Sequence, residues 1–260
     1  MIQFQRVTKK AYFLSDLHLG APYFPDSREA ERRVVAFLDS IRHDASEIYL
    51  LGDILDYWYE YRYVVPKGFV RFFGKLAELA DEGIRITWLI GNHDIWIFDY
   101  IPSELGVEVV DGILTRDILG VRFLLAHGDG IPPLPRTFRM LRALFRNRLC
   151  QRLFSGIHPR WTVPFAHNWS RHSRANGLPP MATSHPLLDN LRSFAISQAE
   201  VSPSIRYFIF GHLHILHRER IVSPGDISSS SELIVLGDWI HYFSYAVFDG
   251  HRLSLHRFQA

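Results

Sequence analysis

Eight side chains able to bind a metal or move a proton stand just past apolar runs in this 260-residue sequence: Asp16 and His18 after "AYFL", Asp53 after "EIYLLG", Asn92 and His93 after "IRITWLIG", His127 after "VRFLLA", and His212 and His214 after "IRYFIFG". Placing such groups beside buried chain is costly unless each finds a partner. A bound cation supplies one. Four histidines (18, 127, 212 and 214), Asp16, Asp53 and Asn92, with no cysteine among them, form a mixed nitrogen and oxygen donor set suited to Mn²⁺, Fe²⁺ or Zn²⁺. Seven donors exceed the needs of one ion. With a bridging carboxylate they fit two ions about 3.5–4 Å apart, the arrangement that clamps the attacking and leaving oxygens of a phosphoryl transfer.

For these residues to meet, the runs before them must be strands that end together. Between "AYFLSD" and "EIYLLGD" lies "SREAERRVVAFLDSIRHD", with Ala30, Val34, Phe37, Leu38 and Ile41 at helical spacing. "FVRFFGKLAELADEG", with Gly83 at its C-terminal cap, is the next helical pattern before "IRITWLIGNHD". Strands alternating with helices imply βαβ units and a parallel sheet, whose strand C-termini open on one ligand-binding crevice. Further on, "VEVVDG" and a hairpin in "ILTRDILGVRFLLAHGD" turning near Leu119 and Gly120 read as strands. "SHPLLDNLRSFAISQAEV" reads as helix, and "IRYFIF", "LIVLGDW", "FSYAVFDG" and "HRLSLHRF" as strands. The expected fold is a four-layer α/β/β/α sandwich of two mixed sheets, a single domain over 1–260.

The composition, 47% hydrophobic and 22% charged, is that of a globular chain and excludes disorder. Cys150 is the single cysteine, so no internal disulfide framework exists, and a reducing compartment suits it. The first residues carry no apolar segment followed by a small-residue cleavage site, and no run of about eighteen apolar residues occurs. No secretory signal and no transmembrane helix are therefore expected; the protein is expected in the cytoplasm, meeting a membrane only peripherally.

One segment departs from the rest in charge. Between Ile131 and Leu188 there are nine arginines (136, 139, 142, 146, 148, 152, 160, 171 and 174) and no lysine, aspartate or glutamate, so the total of +2 leaves −7 on the remainder. A helix is expected from about 136 to 154. Arg139, Arg142 and Arg146 follow i, i+3, i+7 spacing beside an apolar stripe of Phe138, Leu141, Phe145 and Leu149. An ordinary solvated face mixes both signs of charge, and this one does not. It suits phosphate, an anionic membrane surface or nucleic acid.

Isolated histidines such as His43, His185 and His251 are left out as surface or satisfied core residues, and Asp238 in the second "LGD" reads as a turn. The ordered set Asp16-Leu17-His18, Gly52-Asp53, Gly91-Asn92-His93-Asp94, His127-Gly128 and Gly211-His212-Leu213-His214 resembles the calcineurin-like metallophosphoesterase family. The resemblance implies that Asp16, His18 and His214 hold one metal, Asn92, His127 and His212 the second, and that Asp53 bridges them. It further implies in-line attack by a water activated between the cations, with no protein nucleophile. His93 would then stabilise developing charge or protonate the leaving oxygen. Asp94 would orient its neighbours.

Within the family, "SDLHLG", "LGDILDYW", "HGDG", "GHLH" and the closing "LGDW" are similar to the UDP-diacylglucosamine diphosphatases of lipid A biosynthesis. That likeness implies a nucleotide-lipid substrate, two ions that are most readily Mn²⁺, and a helical lid over 131–188. In such a lid Arg139, Arg142, Arg146, Arg171 and Arg174 would meet diphosphate or anionic headgroups, and the stripe would meet acyl chains. One or two of the aromatics after Asp53, Trp58 among them, would line the site. His93 stands where that subfamily carries arginine, which leaves a neighbouring phosphodiesterase or a nuclease as alternatives. A non-catalytic scaffold ranks last because every ligand block is intact. No obligate protein partner is inferred.

Overall fold

The computed structural model describes residues 9–175, 187–222 and 230–259, with backbone alone at 169–175, 222 and 230. Its first sheet has the order β11-β10-β1-β2-β3-β4, formed by β1 (Lys10–Leu14), β2 (Ala45–Leu51), β3 (Arg85–Leu89), β4 (Glu108–Val110), β10 (Ser244–Phe248) and β11 (Leu253–Arg257). Its second has the order β5-β6-β7-β9-β8, from β5 (Leu114–Ile118), β6 (Val121–Ala126), β7 (Ile205–Phe210), β8 (Leu216–Val222) and β9 (Ser230–Leu236). β1 to β4 run parallel and β10 is antiparallel to both its neighbours, β1 and β11, while β6, β7 and β9 run parallel between antiparallel β5 and β8. Both sheets are mixed, as expected.

Alternation along the strands builds three apolar layers. Phe13, Tyr49, Leu51 and Leu89 of the first sheet face Phe123, Leu125, Ile209 and Leu236 of the second. Their neighbours Leu14, Ile48, Leu50 and Trp88 face outward, onto α1 (Ser27–Ile41) and α2 (Val70–Asp81) through Val34, Phe37, Leu38, Phe72 and Leu76. On the far side Leu124, Phe208, Phe210 and Leu233 meet Leu188, Leu191 and Ala195 of α7 (Leu188–Val201). Strands buried on both faces explain why the runs read as continuous apolar stretches rather than alternating ones. The hairpin turns at Leu119 and Gly120, both at positive φ as a two-residue turn requires.

Two departures from expectation concern the arginine-rich segment. The single helix expected over 136–154 is two, α4 (Arg136–Arg146) and α5 (Arg148–Ser155), because Asn147 is extended and its side-chain oxygen caps the second by accepting from the amides of Leu149 and Cys150. A third helix, α6 (Pro159–Ala175), follows. Neither α4 nor α5 has a fully buried residue. They are tied to the body instead by Tyr59, whose hydroxyl donates to the Gln151 carbonyl at 2.6 Å, and by Trp96, whose Nε1 donates to the Phe145 carbonyl at 2.9 Å. Also unforeseen are α3 (Tyr100–Leu105), too short to show a period, and the edge strand β8. No helix among the described residues is long and apolar enough to cross a membrane.

Candidate dimetal site

All eight residues gathered from the sequence lie past the C-terminal ends of parallel strands, β1, β2 and β3 in one sheet and β6 and β7 in the other. The two sheets therefore present them to one crevice. The turns that do so are strained. Asp16, His18, Asp53, His212 and His214 all adopt positive φ, between 44° and 67°, a region that costs a non-glycine residue about 1–2 kcal/mol and persists where the surroundings enforce it. Cross-connections enforce it here: the amide of His18 donates to the Asp53 carbonyl at 2.9 Å, and that of Gly211 to the His127 carbonyl at 2.9 Å. Two glycines allow the approach. A Cβ on Gly91 would lie 2.2 Å from Asp53 Oδ1, and one on Gly211 would lie 1.8 Å from Ser15 Oγ.

Each aspartate divides its two oxygens. Asp16 Oδ2 accepts from the His212 amide at 2.9 Å, leaving buried Oδ1 to face Nε2 of His214 at 3.4 Å and Nε2 of His18 at 3.8 Å. Asp53 Oδ1 accepts from the His93 amide at 2.9 Å, leaving Oδ2 to face Nε2 of His127 at 3.3 Å and Nε2 of His18 at 3.6 Å. Asn92 Oδ1 lies 3.3 Å from His127 Nε2. Two atoms bound to one cation at about 2.1 Å stand about 3–3.5 Å apart, which is close to these spacings. Asp16, His18 and His214 converge as one triad, and Asp53, His127 and His212 as another. Asp53 Oδ2 is the atom between them. The donor set fits two divalent ions.

The histidine rings are aimed from behind. His127 Nδ1 donates to the Leu51 carbonyl at 2.8 Å. His18 Nδ1 lies 3.1 Å from Asp56 Oδ1, and His214 Nδ1 lies 3.2 Å from Asp238 Oδ2. In every case the hydrogen bond at Nδ1 leaves Nε2 to ligate, the usual support for a metal-binding imidazole. Asp238 does close a turn, accepting at Oδ1 from the amides of Ile240, His241 and Tyr242, but it also orients His214. The turn reading from sequence is therefore incomplete. Its position past parallel strand β9 was the available signal. Asp56, three residues past Asp53, was missed because its role depends on a ring 38 residues away.

The charges balance accordingly. Burial pushes Asp53 up, but His127, then His93 and His18, hold it well below the usual carboxylate range. His127 is pushed down by burial, yet the charge and hydrogen bond of Asp53, with Asp16 and Asp129, hold it well above the usual imidazole range. Burial, reinforced by repulsion from His127, depresses His212 to about 4. Asp94 shifts the other way. Burial and the charge of Asp53 push it up to about 6, while its oxygens accept from the amides of Gly91 and Ile54 and from Trp88 Nε1 at 2.8, 2.9 and 3.1 Å. It orients its neighbours.

His93 borders the crevice at 19% side-chain exposure, with Nδ1 donating to the Asp56 carbonyl at 2.9 Å and Nε2 4.0 Å from Asp53 Oδ2. Among the expected substrate contacts the arrangement differs. Trp58 is completely buried, its Nε1 donating to Glu60 Oε1 at 2.9 Å and its ring packed on Phe69 and Phe73, so it belongs to the core and not to the site. Arg142 pairs with Asp129 at 3.1 Å and Arg146 with Asp111 at 3.0 Å, so body carboxylates neutralise two arginines that the local charge count left unpaired. Arg139 is exposed. The side chains of Arg171 and Arg174 lie outside the described residues.

Residues 9–216 match the family model described as calcineurin-like phosphoesterase. The chain is 43% identical over 258 residues to a UDP-2,3-diacylglucosamine hydrolase of Porphyromonas gingivalis, covering 95% of this chain and 96% of that protein. It is 27% identical to a protein of the same name from Nitrosococcus oceani, over 88% of this chain and 86% of that one. Among solved structures it is similar to a phosphoesterase from E. coli at 16% identity and a TM-score of 0.46, covering 95% and 92% of the two chains. Matched over most of its length, and with every ligand block of the pattern folded into one crevice, the chain belongs to the calcineurin-like phosphoesterase family.

Proposed function

We propose that this protein hydrolyses the pyrophosphate of UDP-2,3-diacylglucosamine to UMP and 2,3-diacylglucosamine 1-phosphate, with the arginine-rich helices as a lid over the acyl chains. The observation that carries the lipid part is an apolar passage that begins at the metal ligands. A cavity of about 120 Å³ opens at Asn92 and His93 and continues between Trp96, Phe145, Phe154 and Phe165. A second, of about 290 Å³, shares Trp96, Phe145 and Phe154 and extends along Leu144, Leu153 and Ile157 of the lid. A polynucleotide has no use for such a passage; an acyl chain does. The name of the 43% identical relative supports the same reading.

Two divalent ions, which we take to be Mn²⁺, would be held by Asp16, His18 and His214 and by Asn92, His127 and His212, with Asp53 between; when bound they supply Lewis acidity and an activated water. The remaining work falls to the side chains. Asp53 and Asp16 hold fixed negative charge opposite four imidazoles. His93, with Nδ1 committed to the Asp56 carbonyl, offers only Nε2 to the substrate; protonated there, it stabilises charge on the phosphate and can pass that proton to the leaving oxygen. The lid excludes water from the acyl passage. Its outer surface exposes Met140, Leu149 and Trp161 beside exposed arginines such as Arg139 and Arg148, a composition that suits an anionic membrane surface.

The test is Mn²⁺-dependent release of UMP from UDP-2,3-diacylglucosamine beside turnover of bis-p-nitrophenyl phosphate. A much higher kcat/KM for the lipid is expected. Turnover of the soluble diester alone would retain the dimetal hydrolase and remove the lipid assignment, and salt-sensitive cleavage of DNA or RNA would replace it with a nuclease.

A further inference from the structure

Asp56 ligates neither proposed ion, yet three histidines from separate parts of the chain converge on its carboxylate. Oδ1 lies 3.1 Å from Nδ1 of His18 and 3.6 Å from Nδ1 of His93, and Oδ2 lies 3.7 Å from Nδ1 of His167. The Asp56 side chain is fully shielded from solvent. His18 and His93 belong to the body, whereas His167 is on α6 of the lid. The helix is docked where His167 enters: Thr162, one and a half turns earlier and 4% exposed, has its hydroxyl 3.3 Å from that of Tyr61, and the His167 ring stands edge-on to Tyr57 at 6.2 Å.

A histidine that ligates through Nε2 needs an acceptor at Nδ1, and that acceptor must itself be held in place to fix the ring and keep it basic. Asp56 is such an acceptor for His18. A carboxylate turns about its terminal torsion, which is broad and two-fold, so a partner at Oδ2 helps hold Oδ1 on His18. Among the described residues, the lid side chain that approaches Oδ2 is His167, at 3.7 Å.

We infer that His167 is a positioning residue for the hydrolysis: when the lid is seated, its imidazole engages Asp56 Oδ2, which holds Oδ1 on His18 and so completes the metal site beneath the covered cleft. Lid closure and metal geometry are then coupled through one carboxylate. The inference rests on the dimetal reading and deepens it by giving the lid a part in assembling the centre as well as in covering lipid.

The experiment compares His167→Ala, His167→Gln and Thr162→Val with the wild type in the full chain. Thr162→Val loosens α6 without touching Asp56. Mn²⁺ affinity is read by competition with a chromogenic chelator, and kcat and KM are read on bis-p-nitrophenyl phosphate, which is too small to need an acyl passage. His167→Ala should weaken one of two Mn²⁺ sites by roughly tenfold, the lower end of what partners of metal ligands contribute, and lower kcat on the soluble diester by a similar factor with KM little changed. His167→Gln, which keeps an N–H within reach of Asp56, should recover most of both losses. Thr162→Val, which keeps His167 but loosens the helix that seats it, should show part of both losses. Wild-type Mn²⁺ affinity and kcat in His167→Ala would overturn the proposal, as would failure of His167→Gln to recover either, which would reduce His167 to lid packing. A wild type that takes up no pair of ions would overturn the dimetal reading, and this inference with it.

Discussion

Asp238 Oδ2 lies 3.2 Å from Nδ1 of His214, which determines the ring nitrogen that His214 turns toward Asp16. Asp238→Asn separates this role from the turn it also closes. The amide oxygen can still accept from Ile240, His241 and Tyr242, but the amide nitrogen then donates to Nδ1 and forces the proton onto Nε2, the ligating atom. Affinity for one Mn²⁺ should fall roughly 10–100-fold with the melting temperature nearly unchanged. Asp238→Ala should lower both. Chelator competition beside thermal denaturation reads the difference, and wild-type affinity in the Asn variant would show that His214 needs no such partner.

Asp53→Asn removes the charge between the two triads while keeping the amide acceptor for His93. Activity on any phosphodiester should drop by about a thousandfold or more, equivalent to losing the several kcal/mol that a second cation supplies. Elemental analysis should find fewer than two ions per chain. Retained turnover would break the assignment of Asp53 as the bridge.

Metal binding should release a proton at neutral pH. In the metal-free protein the surrounding carboxylates, Asp53 foremost, outweigh burial and keep His127 charged above the usual imidazole range, whereas His212 at about 4 is already neutral. A ligand must be neutral, so occupancy displaces the His127 proton and affinity rises with pH across the neutral range. The sign follows: acid competes with metal at His127 and does not at His212 until about pH 4. Calorimetry in buffers of different ionisation enthalpy should register about one proton lost per pair of ions. Zero would place both imidazoles neutral beforehand.

The arginines of α4 should fall into two groups. Arg142 faces Asp129, which is 5% exposed, so Arg142→Ala strands a nearly buried carboxylate and should cost about 1–3 kcal/mol of stability. Arg139 faces solvent, so Arg139→Ala should leave the melting temperature alone. It should weaken binding to anionic vesicles about fivefold, the worth of one arginine near a charged bilayer. Sedimentation with phosphatidylglycerol vesicles distinguishes them, and equal behaviour would deny the pairing its consequence.

The ligand blocks were legible in the sequence because each needs only a short apolar run and the two or three residues after it. The helices of the body were legible because their burial follows one period. The remainder depended on distance. Asp129 and Asp111 pair Arg142 and Arg146 from outside α4, where a local charge count cannot reach. Asn147 carried the cap that splits α4 from α5, but the apolar and arginine spacing continues through it and hides the break. Trp58 sits among aromatics beside a ligand, and nothing in one dimension tells which of them turns inward. β8 is charged along its length because it is an edge paired on one side.

Trp96 tests the passage itself, since its ring walls both cavities and its Nε1 ties α4 to the body through the Phe145 carbonyl at 2.9 Å. The ring packs on Phe154 at 4.7 Å and Phe145 at 5.6 Å. Trp96→Ala should therefore cost about 2 kcal/mol, less than a fully buried tryptophan because the ring is half-buried, and lower the melting temperature by roughly 4–8 °C. If the passage holds acyl chains, KM for the lipid should rise about tenfold or more while kcat on the soluble diester stays within about twofold, because apolar contacts far from phosphorus contribute uniform binding. Trp96→Phe keeps a wall and loses the tether. Recovery of lipid KM in the Phe variant would assign the effect to the wall; failure to recover would assign it to the tether that seats α4. Equal losses on both substrates in Trp96→Ala would mean that the passage shapes the metal centre and not the lipid.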